Sequence, residues 1–461
     1  MLFNSYVFLF AFLPVTLCFW WLLKNVYVRL IALTLLSYFF YSWWNWKFVP
    51  LMIASTTVDY IAGQKIVSAD SPRRRKAWLA CSMTFNLLVL GFFKYFDFFA
   101  HNANRLLTMA GTDWQLPILA ITLPVGISFY TFNSMSYTID LYRGIVRPAR
   151  SIVHFSAFVA MFPHLVAGPI VRFSDVEQQL SELKQRLSAE QASRGIYFFV
   201  CGLAKKLLIA DRLAPFVNAY FSAPDGNGVL AAWTAVIGYS LQLYFDFSGY
   251  SDMAVGLAHM LGIQFPKNFD SPYRAQNIAD FWRRWHISLS TWLRDYLFIP
   301  LGGSKGSMAQ TTRNLFLTMF LGGLWHGAGW TFAVWGIYHG VLLALYHVWG
   351  RTVRVPAALG RAVTLLCVAL GWVIFRSDSF SAAMETYRQM LGMNGMGAMS
   401  VLPRQLFLLV IAGIFTQVSR NTFEIGPRLQ PRPAYALGLT VMFVLAVLYL
   451  GRSSPFLYFQ F

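Results

Sequence analysis

The sequence predicts an all-α polytopic membrane protein, and three observations predict it. Of 461 residues, 57% are hydrophobic and only 12% are charged, about half the charged fraction of a soluble domain. Several apolar runs approach the roughly 20 residues that a spanning helix needs. Lys and Arg gather in intervals between those runs, so the net charge of +18 reads as loops retained on the cytoplasmic side and not as a nucleic-acid footprint.

The candidate spans, in order, are 6–23, 28–44, 49–62, 77–99, 118–141, 152–167, 196–209, 230–247, 315–324, 331–349, 363–375, 406–415 and 436–450. The first has the length of a signal peptide but no basic leader and no cleavage site, so it reads as a spanning helix. Several are short or broken by Gly and Pro, as re-entrant or bundle-buried segments are. The expectation is therefore roughly eleven true spans plus re-entrant and interfacial helices. Basic clusters follow the first, third and fifth spans (Lys24 and Arg29; Lys65 and Arg73 to Lys76; Arg143, Arg147 and Arg150). Two more lie near the end, at Arg351, Arg354 and Arg361 and at Arg420, Arg428 and Arg432. The intervals 101–117 and 377–403 carry few positive charges. This alternation puts the basic loops in the cytoplasm and both termini outside. No repeat or soluble domain interrupts the pattern, so 1–461 reads as one integral-membrane domain. Cys18, Cys81, Cys201 and Cys367 sit in apolar runs without metal or redox spacing and read as small core residues.

Two polar intervals break the series. Residues 172–194 read as a solvated cytoplasmic helix. In 275–296, Ile278, Trp282, Trp285, Leu289, Trp292 and Tyr296 recur every three or four positions and share one helix face. Arg283, Arg284 and Arg294 lie on other faces, which is the pattern of an interfacial helix.

The chemistry concentrates in LGGLWHGAGWTFAVWGIYHG, residues 321–340. Between Asn314 and Gly350 there is no Asp, Glu, Lys or Arg, and the titratable groups near neutral pH are His326, His339 and His347. An imidazole at membrane depth must find partners without bulk water, and a Gly-rich break lets a substrate approach the backbone. His326 is therefore the candidate catalytic residue. His286 lies 40 positions earlier and could share general-base and orienting roles if the fold joins them; a His beside Trp285 is otherwise a packing residue. His339 is 13 positions after His326. On one continuous helix the two imidazoles would be about 20 Å apart, which assigns His339 a structural or channel-lining role. Asp246 and Asp252, in YFDFSGYSDMA, are carboxylates at or near membrane depth. They are either functional or structurally paired with Lys or Arg. Residues 123–137 and 162–172 combine Pro, Gly and polar groups and read as broken helices lining a cavity. No HExxH, cysteine cluster, GxSxG elbow or phosphate loop is present, so no metal site is expected. The chain ends in PFLYFQF, 455–461. That tail either anchors at the interface or folds back to present the Tyr458 hydroxyl.

Together these segments resemble the membrane-bound O-acyltransferase family. The likeness is to the branch that holds the integral-membrane subunit of bacterial alginate O-acetyltransferase and its D-alanyl-teichoic-acid counterpart. It is carried by LPVGISFYTF, FPHLVAGPIVR, YFDFSGYSDMA, FWRRWHISLSTWLRDYLFIPLGG, LGGLWHGAGWTFAVWGIYHG and WVIFRSDSF, from Leu123 to about Phe380, with VFLFAFLP near the start. The resemblance implies tilted helices around a tunnel, with His326 catalytic and His286 the second polar residue. It implies acetyl transfer from a cytoplasmic donor to an exported polysaccharide across a bacterial inner membrane. Tyr458 would carry the acyl group onward, and a periplasmic acetyltransferase or esterase-like partner would complete transfer. Acetyl-CoA fits as the donor, because a tunnel moves the acetyl group while the charged phosphates stay inside. No bound cofactor is expected. Arg283 and Arg284 either hold donor phosphates or are an ordinary positive-inside flank. D-alanyl transfer from a carrier protein is the rival within the class. A polymer or lipid-sugar transporter, lined by Asp246, Asp252 and the histidines, is the rival outside it.

Overall fold

Helix ends in this chain are set by caps and by prolines that cannot donate. Asn25 Oδ1 accepts from Tyr27 N (2.9 Å) and Val28 N (3.2 Å), starting the helix Val26–Asn45. Ser71 caps Pro72–Met109, with Pro72 in the first turn where no partner is lost. The computed structural model describes all residues except 184, 185, 351, 353, 354, 398–400, 429–431, 453, 455 and 458–461. Among the described residues the secondary structure is helical, with a single isolated bridge between Asn227 and Gly397. Four helical stretches among the described residues are long and apolar enough to cross a membrane: Val26–Ser68, Pro72–Met109, Trp330–Gly350 and Ala357–Arg376. Phe8–Leu22, Pro403–Val418 and Pro433–Leu448 are shorter apolar helices. Leu88, Phe99, Leu437 and Leu448 point outward from such helices, as lipid-facing residues do. The protein is a multi-pass membrane protein.

The chain forms two compact units, Met1–Gly195 with Leu257–Pro266, and Ile196–Gly256 with Lys267–Phe461. In the first, the expected span 118–141 is helical only over Ile127–Arg143. Pro117 and Pro124 lack N–H groups, and the Asp97 carboxylate draws off Leu119 N (2.9 Å) and Ile121 N (2.8 Å). Gly126 then turns the chain at φ +76°, where a Cβ would lie 2.4 Å from Leu165 O. The interval 101–117, expected as a loop, is helical up to Met109. The span 152–167 divides into Ile152–Ala160 and Phe162–Leu165. At the division Phe162 N donates to Ser37 Oγ (3.1 Å) instead of to its own helix. Residues 172–194 are not one solvated helix. Phe173–Ser181 buries Phe173, Val176 and Leu180 along one face, and a separate helix begins at Ala189. Asp59, fully buried, accepts from Ser82 Oγ (2.6 Å) and Asn86 Nδ2 (2.8 Å) and ties Val49–Ser68 to Pro72–Met109.

In the second unit, the span expected at 230–247 continues as one helix, Val229–Met260. Its Gly249 packs against Gly202 so closely that a Cβ on Gly202 would sit 2.4 Å from Gly249 O. The amphipathic stretch 275–296 is not one interfacial helix. It breaks into Ile278–Arg284 and Ile287–Leu293, with His286 between them at φ +42°. Its Trp face is buried in protein: Trp285 stacks with Phe281 (centroids 5.5 Å) and meets Trp372 at 5.1 Å. The cysteines are free. Cys18 and Cys81 are exposed and Cys201 and Cys367 half-buried, so they occupy the outer faces of their helices and not the core. Arg351 and Arg354 of the late basic cluster lie outside the described residues.

Candidate functional site

The glycine-rich segment forms a helical hairpin. Met308–His326 ends at His326, residues 327–329 are extended, and Trp330–Leu345 returns against it. Glycines let the two backbones touch. A Cβ on Gly323 would lie 2.4 Å from Phe332 O, and one on Gly336 2.4 Å from Met319 O. His326 is therefore delivered at a helix end, where the chain is already broken. Its ring meets Trp325 and Trp335 at 5.1 Å and Phe375 at 5.3 Å. His339 is fully buried against Trp335 (4.8 Å) and Trp282 (5.2 Å). The separation of about 20 Å that a continuous helix implies is thus overturned. The hairpin folds His339 back so that one indole, Trp335, touches both imidazoles.

His286 reaches the same region. It is fully buried, 4.6 Å from Phe247 and 6.1 Å from Trp325 by ring centroid. Trp325 thus contacts His286 on one hand and His326 on the other. Its anchor is Asn268, a residue that sequence reasoning missed. Asn268 Oδ1 accepts from Ser288 N (3.3 Å) and Ser288 Oγ (2.9 Å) and lies 3.1 Å from His286 Nδ1. A backbone N–H can only donate, so Oδ1 is the acceptor, Nδ1 carries the proton, and Nε2 is the basic nitrogen of His286. Nothing in the KNFDS context marks this Asn; the signal appears only when the turn at His286 is seen.

Arg283 is exposed, and Arg284 is held by the Asp280 carboxylate (2.9 Å) and the Asp270 carbonyl (3.2 Å). Asp246 and Asp252 are buried and ion-paired. Asp252 accepts from Lys205 (2.6 Å) and Thr422 Oγ1 (3.2 Å). Asp246 faces Lys206 (2.6 Å), which also reaches Asp211 (2.8 Å). Two lysines inside the apolar span 196–209 were the available signal, since buried ammonium groups need carboxylates. Tyr458 lies outside the described residues. Immediately before it, Phe456 and Leu457 are each only 2% exposed, so this part of the tail is core and not a surface anchor.

A multi-pass membrane protein with broken helices delivering buried histidines is the class these features define. A sequence model of the MBOAT, membrane-bound O-acyltransferase, family matches residues 146–377. The chain is 45% identical over 419 residues to a probable alginate O-acetylase of Azotobacter vinelandii, covering 89% of this chain and 82% of that protein. It is 38% identical over 431 residues to a peptidoglycan O-acetyltransferase of Helicobacter pylori, covering 86% and 80%. It is 30% identical over 273 residues to a teichoic acid D-alanyltransferase of Bacillus subtilis, covering 56% and 69%. The chain belongs to the membrane-bound O-acyltransferase family, and it is an acyltransferase.

Proposed function

We propose that the protein passes acetyl groups from a cytoplasmic donor, acetyl-CoA, across a bacterial inner membrane for O-acetylation of an exported polysaccharide of alginate type. The observation that carries this is its likeness over most of its length to relatives named for O-acetyl transfer. The D-alanyl relative is matched over a shorter stretch at lower identity. Roughly eleven spans enclose a tunnel, with both termini extracytoplasmic and basic loops inside. His326 is the general base that activates the acceptor hydroxyl, an effect worth roughly 10²–10⁴-fold. His286 orients or shares that proton through Nε2, while His339, Asp246 and Asp252 are structural or line the path. Arg283 and Arg284 meet donor phosphates at the cytoplasmic mouth. Tyr458 receives the acetyl group, and a periplasmic acetyltransferase-like partner takes it to the polymer. No cofactor stays bound.

The enclosed histidine core supports this assignment, because a base excluded from water activates a hydroxyl without hydrolysing the donor. The test is His326→Ala. Polymer acetylation is lost while the protein level in the membrane is unchanged; normal acetylation in that variant ends the proposal. Purified protein that turns over acetyl-CoA in a His326-dependent manner separates it from a transporter, and from a D-alanyl enzyme that needs a carrier-protein donor. Tyr458→Phe is read separately: full transfer by that variant removes the relay alone.

A further inference from the structure

Asp246 does two things at once. Its Oδ1 pairs with Lys206 at 2.6 Å, and its Oδ2 accepts the backbone N–H of Leu457 at 3.0 Å. Lys206 also reaches Asp211 (2.8 Å) and Ser454 Oγ (3.3 Å), and Ser454 Oγ donates to Asp211 (2.5 Å). One ammonium thus faces two carboxyl groups in a buried site, and the tail adds two neutral donors, Leu457 N–H and Ser454 O–H. Hydrogen bonds to buried charged groups are strong because their loss leaves the charge uncompensated. The seat continues toward the histidines. Phe456 packs on Tyr250 (4.6 Å) and Phe247 (5.9 Å), and Phe247 stands edge-on to His286 at 4.6 Å. The last helix delivers the tail here: Arg212, next to Asp211, lies over the Tyr449 ring at 4.5 Å.

We infer that Lys206, Asp246 and Asp211 form a buried clasp that seats the C-terminal segment beside His286, and that Asp246 and Lys206 are positioning residues for transfer. The consequence for transfer rests on the acetyltransferase reading; the seat does not. The clasp lies in the YFDFSGYSDMA helix and in the helical stretch from Lys205 to Asp211, so two distant stretches hold the C-terminal segment by its backbone and by Ser454.

The experiment uses the full-length protein in lipid nanodiscs, with a Leu457→Cys reporter that keeps the backbone donor. A maleimide probe is located by mass spectrometry. In the otherwise native protein the reporter is protected relative to an Asp70→Cys reference, at an exposed position in the loop between Val49–Ser68 and Pro72–Met109. Asp246→Asn, which loses the charge pair, raises its labelling rate by about tenfold or more, and Ser454→Ala raises it by less. A second reporter, Val236→Cys in the helix core, stays protected. If Val236→Cys also becomes labelled, Asp246→Asn has unfolded and Ser454→Ala decides. An unprotected Leu457→Cys in the native background, or equal labelling with and without the clasp substitutions, overturns the inference. In the transfer assay Asp246→Asn lowers kcat about tenfold with KM for acetyl-CoA within about twofold, because the donor site is untouched and the receiving segment is displaced. Should the native protein show no His326-dependent turnover, the acetyltransferase reading fails, and the labelling arm still reads the clasp.

Discussion

His286 adopts a left-handed backbone, φ +42°, which non-glycine residues enter at a cost of about 1–3 kcal/mol unless neighbours hold them. Asn268 is that neighbour. Its carbonyl accepts Ile287 N (2.9 Å), its Oδ1 takes Ser288, and its Nδ2 donates to Ser251 Oγ (3.0 Å). Asn268→Ala therefore removes the group that fixes the His286 tautomer and leaves buried donors unanswered, at about 1–3 kcal/mol each. The expected outcome is a fall of roughly tenfold or more in kcat/KM for acetyl transfer, with normal membrane insertion. An Asn268→Ala enzyme at the native rate would mean that His286 takes no part in the chemistry.

At the scale of elements, the site depends on one hairpin whose helices touch through glycine. A side chain at Gly336 would drive a Cβ to 2.4 Å from Met319 O, and backbone cannot yield as a flexible side chain does. Gly336→Val is expected to destabilise the protein by about 1–3 kcal/mol through overpacking. The readout is a shorter half-life in detergent at fixed temperature, together with lost activity. Gly413→Ala, where nothing lies within 4 Å of the added methyl, should keep the native half-life. Equal half-lives for the two variants would show that the hairpin does not pack through Gly336. The hairpin itself was legible: a charge-free run with Gly on both sides of Trp325-His326 announces a break, and the break falls at 327–329. Helix ends fixed by remote partners were not. The Asp97 carboxylate that keeps 118–126 extended is more than twenty positions away, and nothing local distinguishes that apolar run from a helix. The turn at His286 was hidden for the same reason, because the period of three and four persists across a break that Asn268 imposes from 18 positions upstream. Asp246 and Asp252 were visible as costly groups, but their partners follow from Lys205 and Lys206 only when the helices are aligned.

Across the whole molecule, the proposed sidedness rests on composition and not on any contact. Thirty-seven Lys and Arg against nineteen Asp and Glu fall mainly between apolar runs, and positive loops stay on the cytoplasmic side of a bacterial membrane. Acetyl-CoA cannot bring its phosphates through the hydrocarbon region. In the proposed arrangement, with the donor site on the basic face and the acceptor on the other, only the acetyl group would cross. Vesicles of the two orientations test this directly. Inverted vesicles given acetyl-labelled CoA should label an acceptor enclosed within them, and vesicles of His326→Ala should not. Right-side-out vesicles should take no label from external acetyl-CoA unless they are permeabilised. Equal labelling from both sides would place the donor site in reach of the outer face, and the proposed direction of transfer would then be wrong even with His326 essential.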